Sequence, residues 1–137
     1  MMVDDLTEYS SVVAELLKSR GETVAVAESS AGGLISASLL SIPGASAYFV
    51  GGGVIYTLAA RNSLLPDGGH ALKGIRSASE PYASWLSTSI RDHLGSTWGL
   101  AETGASGPGG NRYGDKSGHT CLAVSGPPVK AILSTFL

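Results

Sequence analysis

The run Thr23-Val24-Ala25-Val26-Ala27 stops at Glu28-Ser29-Ser30-Ala31-Gly32-Gly33, and a helix-forming segment follows from Leu34 to Leu40. A short apolar, β-branched stretch without polar alternation is the pattern of a strand buried on both faces, as in a parallel sheet. Parallel strands cannot be joined by a hairpin and need a crossover, usually helical. This one unit of strand, glycine turn and helix therefore commits the chain to an α/β architecture, with helices covering the sheet.

The remaining segments extend that unit. Leu6 to Arg20 carries Leu6, Val12, Val13, Leu16 and Leu17 at helical spacing, with Lys18 and Arg20 in the last turn and Gly21 as a stop, which predicts an amphipathic helix. Tyr48 to Tyr56 reads as a strand kinked or bulged at Gly51-Gly52-Gly53. Leu58 to Leu65 predicts a short helix, broken by Pro66-Asp67-Gly68-Gly69 before a polar loop through Gly74. Ser79-Glu80-Pro81 combines a hydroxyl cap with proline in the first turn and opens a helix that ends near Gly95. Trp98 to Glu102, His119 to Val124 and Val129 to Thr135 are the further strands, the last two joined by a Ser125-Gly126-Pro127-Pro128 hairpin turn. The sheet is then mixed, and Gly104 to Gly118 forms a long loop of the kind that usually carries function.

At 137 residues the chain has the size of one domain, read as spanning residues 1–137. A net charge of -2 with interspersed signs offers no basic stripe for nucleic acid. No apolar run reaches the roughly 18 residues of a membrane span, and no signal-peptide pattern opens the chain. The single cysteine, Cys121, permits no internal disulfide, and His70, His93 and His119 lack the spacing of known zinc motifs. The expected setting is the cytosol, with no metal and no cofactor. The three histidines read as surface or interface residues, Trp85 and Trp98 as core, and Asp115 with Arg112 as a loop ion pair.

Three turns concentrate small hydroxyl residues beside glycines: Glu28 to Gly33, Gly44-Ala45-Ser46, and Thr103 to Gly110. Such turns let backbone N–H groups approach an anion closely, and in α/β sheets they gather at strand ends where ligands bind. Ser29 and Ser30 at a helix N-terminus fit phosphate or ribose binding, although an N-cap serine has the same sequence signature. Thr103 to Gly110, with Asn111 and Arg112, could wrap a nucleotide or simply connect two strands. Glu28 either orients a ligand or hydroxyl, or makes a structural bond to the next turn.

Ala27-Glu28-Ser29-Ser30-Ala31-Gly32-Gly33, Pro43-Gly44-Ala45-Ser46-Ala47-Tyr48-Phe49, Gly53-Val54-Ile55-Tyr56, Ala78-Ser79-Glu80 and Thr103-Gly104-Ala105-Ser106-Gly107-Pro108 resemble, in order and spacing, the CinA C-terminal domain family. Its best-understood members are nicotinamide mononucleotide amidases. The resemblance implies a three-layer α/β/α sandwich with a mixed, mostly parallel sheet, no metal, and hydrolysis of the substrate carboxamide to nicotinate mononucleotide and ammonia. It implies homo-oligomers, and a final helix that this chain is expected to lack.

Carried over residue by residue, the resemblance makes Ser46 the nucleophile, assisted by Tyr56 and by Arg61 at the position of a family lysine. The substrate-binding residues expected from the glycine- and hydroxyl-rich turns are Glu28, Ser29, Ser30, Gly32, Gly33, Thr103, Gly104, Gly107 and Gly110. A lysine can lose its proton and act as a base, whereas a guanidinium does not. Arg61 therefore leaves a second expectation open beside the amidase: a nucleotide-binding module of the same fold without catalysis. Further departures are Ser30-Ala31 where the family has Cys-Thr, and Asp115-Lys116-Ser117-Gly118 where it has Lys-Pro-Val-Gly.

Overall fold

The computed structural model describes residues 6–66, 68–127 and 132–136. Along the chain run α1 (Thr7–Arg20), β1 (Val24–Glu28), α2 (Leu34–Leu40), a 3-10 turn at Ala45–Ala47 and β2 (Phe49–Val54). Then follow α3 (Leu58–Leu64), the one-turn α4 (Gly68–Ala71), α5 (Glu80–Leu94), β3 (Trp98–Ala105), β4 (His119–Ser125) and β5 (Ile132–Phe136). The expected elements are present, and α4 is an addition inside the segment read as a polar loop. Of the expected Ser125–Pro128 turn and Val129–Thr135 strand, residues 128–131 lie outside the described residues.

The strands form one sheet in the order β2-β1-β3-β4-β5. β1 pairs in parallel with β2 and β3, while β4 is antiparallel to both β3 and β5, so four of the five strands point the same way. The sheet is mixed and mostly parallel. Its irregularity falls between Val24 and Ala25, opposite Val50, and the three glycines pair regularly with Ala25, Val26 and Ala27. Gly52 is glycine for a different reason: a Cβ there would lie 2.7 Å from the Val26 carbonyl and 3.0 Å from Ser36 Oγ.

Strand alternation sorts side chains into two cores. Ala25, Ala27 and Ala101 face α5 and pack with Tyr82, Leu86 and Ile90. Val24 and Val26 point the other way, against Ala14 and Leu17 of α1 and Leu39 of α2. The result is the three-layer α/β/α sandwich. Alanines on the α5 face let that helix lie close, and Gly99 has no room for a side chain beneath it, since a Cβ would fall 2.0 Å from the Ser87 carbonyl.

Ser79 caps α5 by accepting from the Tyr82 amide at 3.3 Å, and Gly95, at φ 69°, ends it. α1 departs from its expected amphipathic pattern. It buries Ser10, Ala14 and Leu17, while Val12 and Leu16 remain 59% and 51% exposed. Of the positions read at helical spacing, Leu17 faces inward with Ser10 and Ala14, while Val12, Val13 and Leu16 turn outward. Beside them an apolar groove of about 450 Å³ runs between α1 and β3–β4, lined by Leu16, Leu17, Trp98, Leu100 and Val124 among others.

Candidate active site at the carboxyl ends of the parallel strands

β1 and β2 leave the sheet at its carboxyl edge through the segments after Glu28 and Val54, and β3 through the loop after Ala105. Chain order reverses across β1, whose neighbours are β2 on one side and β3 on the other. Such reversals open a crevice beyond the strand ends. A cavity of about 700 Å³ lies there, lined by Ser29, Tyr56, Thr57, Arg76, Thr103 and Tyr113 among others. That volume lies within the ordinary range for small-molecule sites.

Two buried carboxylates build the turn at the floor. Glu28, fully buried at the end of β1, accepts the amides of Gly33, Ile35 and Ser36 at 3.2, 2.9 and 2.8 Å. Glu102, on β3, accepts the amides of Ser29 and Ala31 at 2.9 Å each and the Ser30 hydroxyl. Each carboxylate thus gathers N–H groups that the strand-to-helix transition would otherwise leave bare.

The reading of this turn as a set of free N–H groups at a helix N-terminus is corrected for residues 31–33. The Ala31 and Gly33 amides are held by carboxylates, and that of Gly32 is held by the Ser29 carbonyl at 3.1 Å. Of the alternatives for Glu28, the structural bond holds. Ser30 also turns inward, while Ser29 is the residue of the turn that lines the cavity. Its hydroxyl has no hydrogen-bond partner among the described residues.

Ser46 lies elsewhere. It sits exposed on the 3-10 turn that precedes β2, whereas Tyr56 follows β2, so the whole strand separates them. At about 3.3 Å per residue, the strand alone spans roughly 16 Å. Lys18, at the end of α1, neighbours Gly44 and bonds the Pro43 carbonyl, which places Ser46 at the amino edge of the parallel strands. One chain therefore does not bring Ser46 and Tyr56 into a shared cavity. Ten residues of separation suit a helix or loop, but an extended strand carries its ends apart.

Tyr56 lines the cavity and is 74% exposed at its mouth. Arg61 on α3 bonds Asn62 Oδ1 through Nε and Nη2, both at 3.3 Å, and interacts with the Tyr82 hydroxyl. Burial raises the Tyr82 pKa above the ordinary phenol value, and Arg61 works against that rise. Thr103 and Gly104 line the cavity, with Thr103 Oγ1 accepting the Ala78 amide at 3.1 Å. Gly107 and Gly110 shape the loop rather than the cavity wall, and Gly110, at φ 72°, bonds the Gly107 carbonyl at 3.1 Å.

Of the wall formed by the 106–118 loop and the segment before α5, the sequence pointed to Asn111 and Arg112 but not to Arg76, Ser77 or Tyr113. Arg76 grips Asp115 with Nη1 at 2.7 Å and Nη2 at 3.3 Å, pinning the 106–118 loop to the segment before α5. Asp115 thus pairs with Arg76 and not with Arg112. Hydrogen bonds from Arg76, then from Asn111, hold the Asp115 carboxyl below its usual pKa. Tyr113 has two guanidinium groups near its ring, Arg76 at 4.9 Å and Arg112 at 5.1 Å from its centre. Hydrogen bonding to Ser77, then to Arg112, lowers the phenol pKa.

Behind this wall His119 is buried, contrary to its reading as a surface residue, and its Nε2 lies 2.9 Å from the Ala78 carbonyl. Nδ1 finds no partner among the described residues. Ala78 adopts φ 53°, and Thr103 and His119 fix it from both sides of its peptide. Among the described residues no group of three or more metal-ligating side chains occurs, and no helix is long and apolar enough to cross a membrane.

The chain is a three-layer α/β domain with a hydroxyl-rich, arginine-flanked cavity at its parallel strand ends, and within the α/β class its match is specific. The CinA C-terminal domain model covers residues 6–136, and the chain belongs to this family. A CinA-like protein of Prochlorococcus marinus is 39% identical over 123 residues, covering 90% of this chain and 29% of the relative. One from Acaryochloris marina is 40% identical over 124 residues, again 90% of this chain and 29% of the relative. The chain thus spans less than a third of these proteins. Among solved structures, competence damage-inducible protein A (ComA) of Klebsiella pneumoniae superposes with TM-score 0.87 at 25% identity, covering 95% of this chain and 80% of that one. The competence/damage inducible protein CihA of Agrobacterium tumefaciens gives 0.86 at 27% identity, covering 96% and 79%.

Proposed function

We propose that this domain is an amidohydrolase that converts nicotinamide mononucleotide to nicotinate mononucleotide and ammonia, with Ser29 as the nucleophile. The observation that carries the reading is the placement of Ser29. It occupies a strand-to-helix turn, the setting of nucleophile elbows, with its amide fixed by Glu102 and its side chain on a cavity of about 700 Å³. Ser46, at the other edge of the sheet, is not part of that cavity. Family membership supports the substrate class.

In this mechanism Ser29 Oγ adds to the carboxamide carbon while its proton passes to the Tyr56 hydroxyl oxygen and the Tyr56 proton moves on to the carboxamide nitrogen. Collapse of the tetrahedral adduct breaks the carbon–nitrogen bond and releases ammonia, leaving an acyl-serine. Water then adds to that ester, nicotinate mononucleotide departs, and the proton returns to Ser29. Arg61, bonded to Asn62 and placed near the Tyr82 hydroxyl, acts by charge and position and not as a base.

A second reading has its own support. Among the described residues the cavity lining includes no lysine, histidine or carboxylate. A pocket without such a base suits a module that binds the nucleotide and leaves it intact. Ammonia release and calorimetric binding, measured on the same preparation with nicotinamide mononucleotide, separate the two. Ammonia production that disappears in Ser29→Ala supports the amidase. Binding without ammonia supports the module, and absence of both rejects the two together.

A further inference from the structure

Arg112, Tyr113 and Ser77 meet on one wall of the cavity. Arg112 Nη2 donates to the Tyr113 hydroxyl at 3.0 Å, and that hydroxyl lies 3.2 Å from Ser77 Oγ. All three residues line the cavity. Its lining includes two arginines and, among the described residues, no carboxylate. Arg76 is already neutralised by Asp115, whereas Arg112 has no ion-pair partner among the described residues. An unneutralised guanidinium facing a cavity is complementary to an anion.

Arg112 is also held in place. Its guanidinium lies 5.1 Å from the Tyr113 ring centre and bonds the phenol, and the Arg76 guanidinium lies 4.9 Å from the same ring centre. A guanidinium fixed before the ligand arrives loses less side-chain freedom on binding. With two hydroxyls beside it, the cluster offers N–H and O–H donors in one patch, the chemistry that suits the oxygens of a phosphate monoester.

We propose that Arg112, Tyr113 and Ser77 form the subsite that recognises the substrate's phosphate, across the cavity from the turn that carries Ser29. The proposal rests on the nucleotide reading for the identity of the ligand, but not on any catalysis. The 106–118 loop then sets specificity for nucleotide over nucleoside, and the Arg76–Asp115 pair positions that loop. Amide backbone groups of residues 31–33, already occupied, take no share in the phosphate.

The test is calorimetric titration of the full chain with nicotinamide mononucleotide and with the corresponding riboside, which lacks the phosphate. Wild type is expected to bind the nucleotide at least about tenfold more tightly than the riboside. Arg112→Gln is expected to bring that ratio below about threefold while riboside affinity stays within about twofold of wild type. Inorganic phosphate is an independent probe: it should raise the melting temperature of wild type and not of Arg112→Gln. A ratio unchanged by Arg112→Gln overturns the subsite, as does a wild type that neither discriminates the two ligands nor responds to phosphate. Nucleotide binding that depends on Arg112 without ammonia release rejects the amidase and leaves the subsite standing. Unaltered melting temperatures of the unliganded variants confirm that the comparison concerns binding.

Discussion

The hydroxyl of Ser30 donates to the carboxylate of Glu102, so the turn after β1 hangs from the neighbouring strand β3. The same carboxylate holds the amides on both sides of Ser30, at 2.9 Å from Ser29 and 2.9 Å from Ala31. The position of Ser29 over the cavity is therefore set by a residue on another strand.

Replacing Glu102 with alanine should leave three donors without acceptors in a largely buried place. Each such loss costs roughly 1–3 kcal/mol before relaxation or water entry, so a net loss of about 3 kcal/mol is expected. Thermal unfolding should show a fall in Tm of roughly 6–12 °C. Glu102→Gln, which can still accept from two amides, should fall between this variant and wild type.

Gly99→Ala should be among the most damaging single-methyl additions to the chain, because the new Cβ meets the Ser87 carbonyl of α5 at 2.0 Å. Backbone cannot swing aside as a side chain can, and overpacking of this kind costs about 3 kcal/mol or more. Gly21→Ala is the control: its φ of 63° is strained for alanine but nothing lies within 4 Å, so about 1 kcal/mol is expected. Denaturant unfolding of the two variants should rank them in that order.

Asp115 titrates below the usual carboxylate range because Arg76, then Asn111, donates to it. Its folded-state pKa is depressed, so its contribution is complete above the unfolded aspartate value of about 3.9 and is lost as pH falls through the lower folded value. Limited proteolysis of the 106–118 loop should accelerate in that acid window. Asp115→Asn should show the faster cleavage already at neutral pH, with little further change on acidification.

Tyr113 should ionise before an ordinary phenol. Its environment comprises Ser77 and Arg112 hydrogen bonds, the Arg76 charge across the ring, Asp115 beyond Arg76, and Tyr82 on α5. Ultraviolet difference titration should reveal one tyrosine with a midpoint below about 10, absent in Tyr113→Phe. Arg112→Gln removes a donor and a positive charge from the phenolate, and the midpoint should move upward.

Much of the framework was legible because it depends on local pattern. Val24 to Ala27 could only be a doubly buried strand, and Ser79-Glu80-Pro81 with Gly95 bounded α5 at both ends. The site was harder, because it depends on where strands end in space. Tyr56, Ser29, Thr103 and Gly104 were placed at strand ends and do line the cavity. Ser46 was grouped with Tyr56 by spacing along the chain, but β2 intervenes and sends the two to opposite edges. Arg76 and Tyr113 left no local signal, since 37 positions separate them in the sequence and the loop's fold alone brings them together. Glu102 offered a faint one. Like Glu28, it is a carboxylate inside an otherwise apolar strand, and such a residue needs donors nearby.

The account centres on the carboxyl edge of the parallel strands as the place of reaction. Its most direct test is the rate of ammonia release from nicotinamide mononucleotide by wild type, Ser29→Ala and Ser46→Ala, all shown to be folded. Loss of a nucleophile removes several orders of magnitude, so Ser29→Ala should fall by roughly 1,000-fold or more while Ser46→Ala stays within about twofold of wild type. The reverse pattern, with Ser46→Ala inactive and Ser29→Ala near wild type, would contradict it.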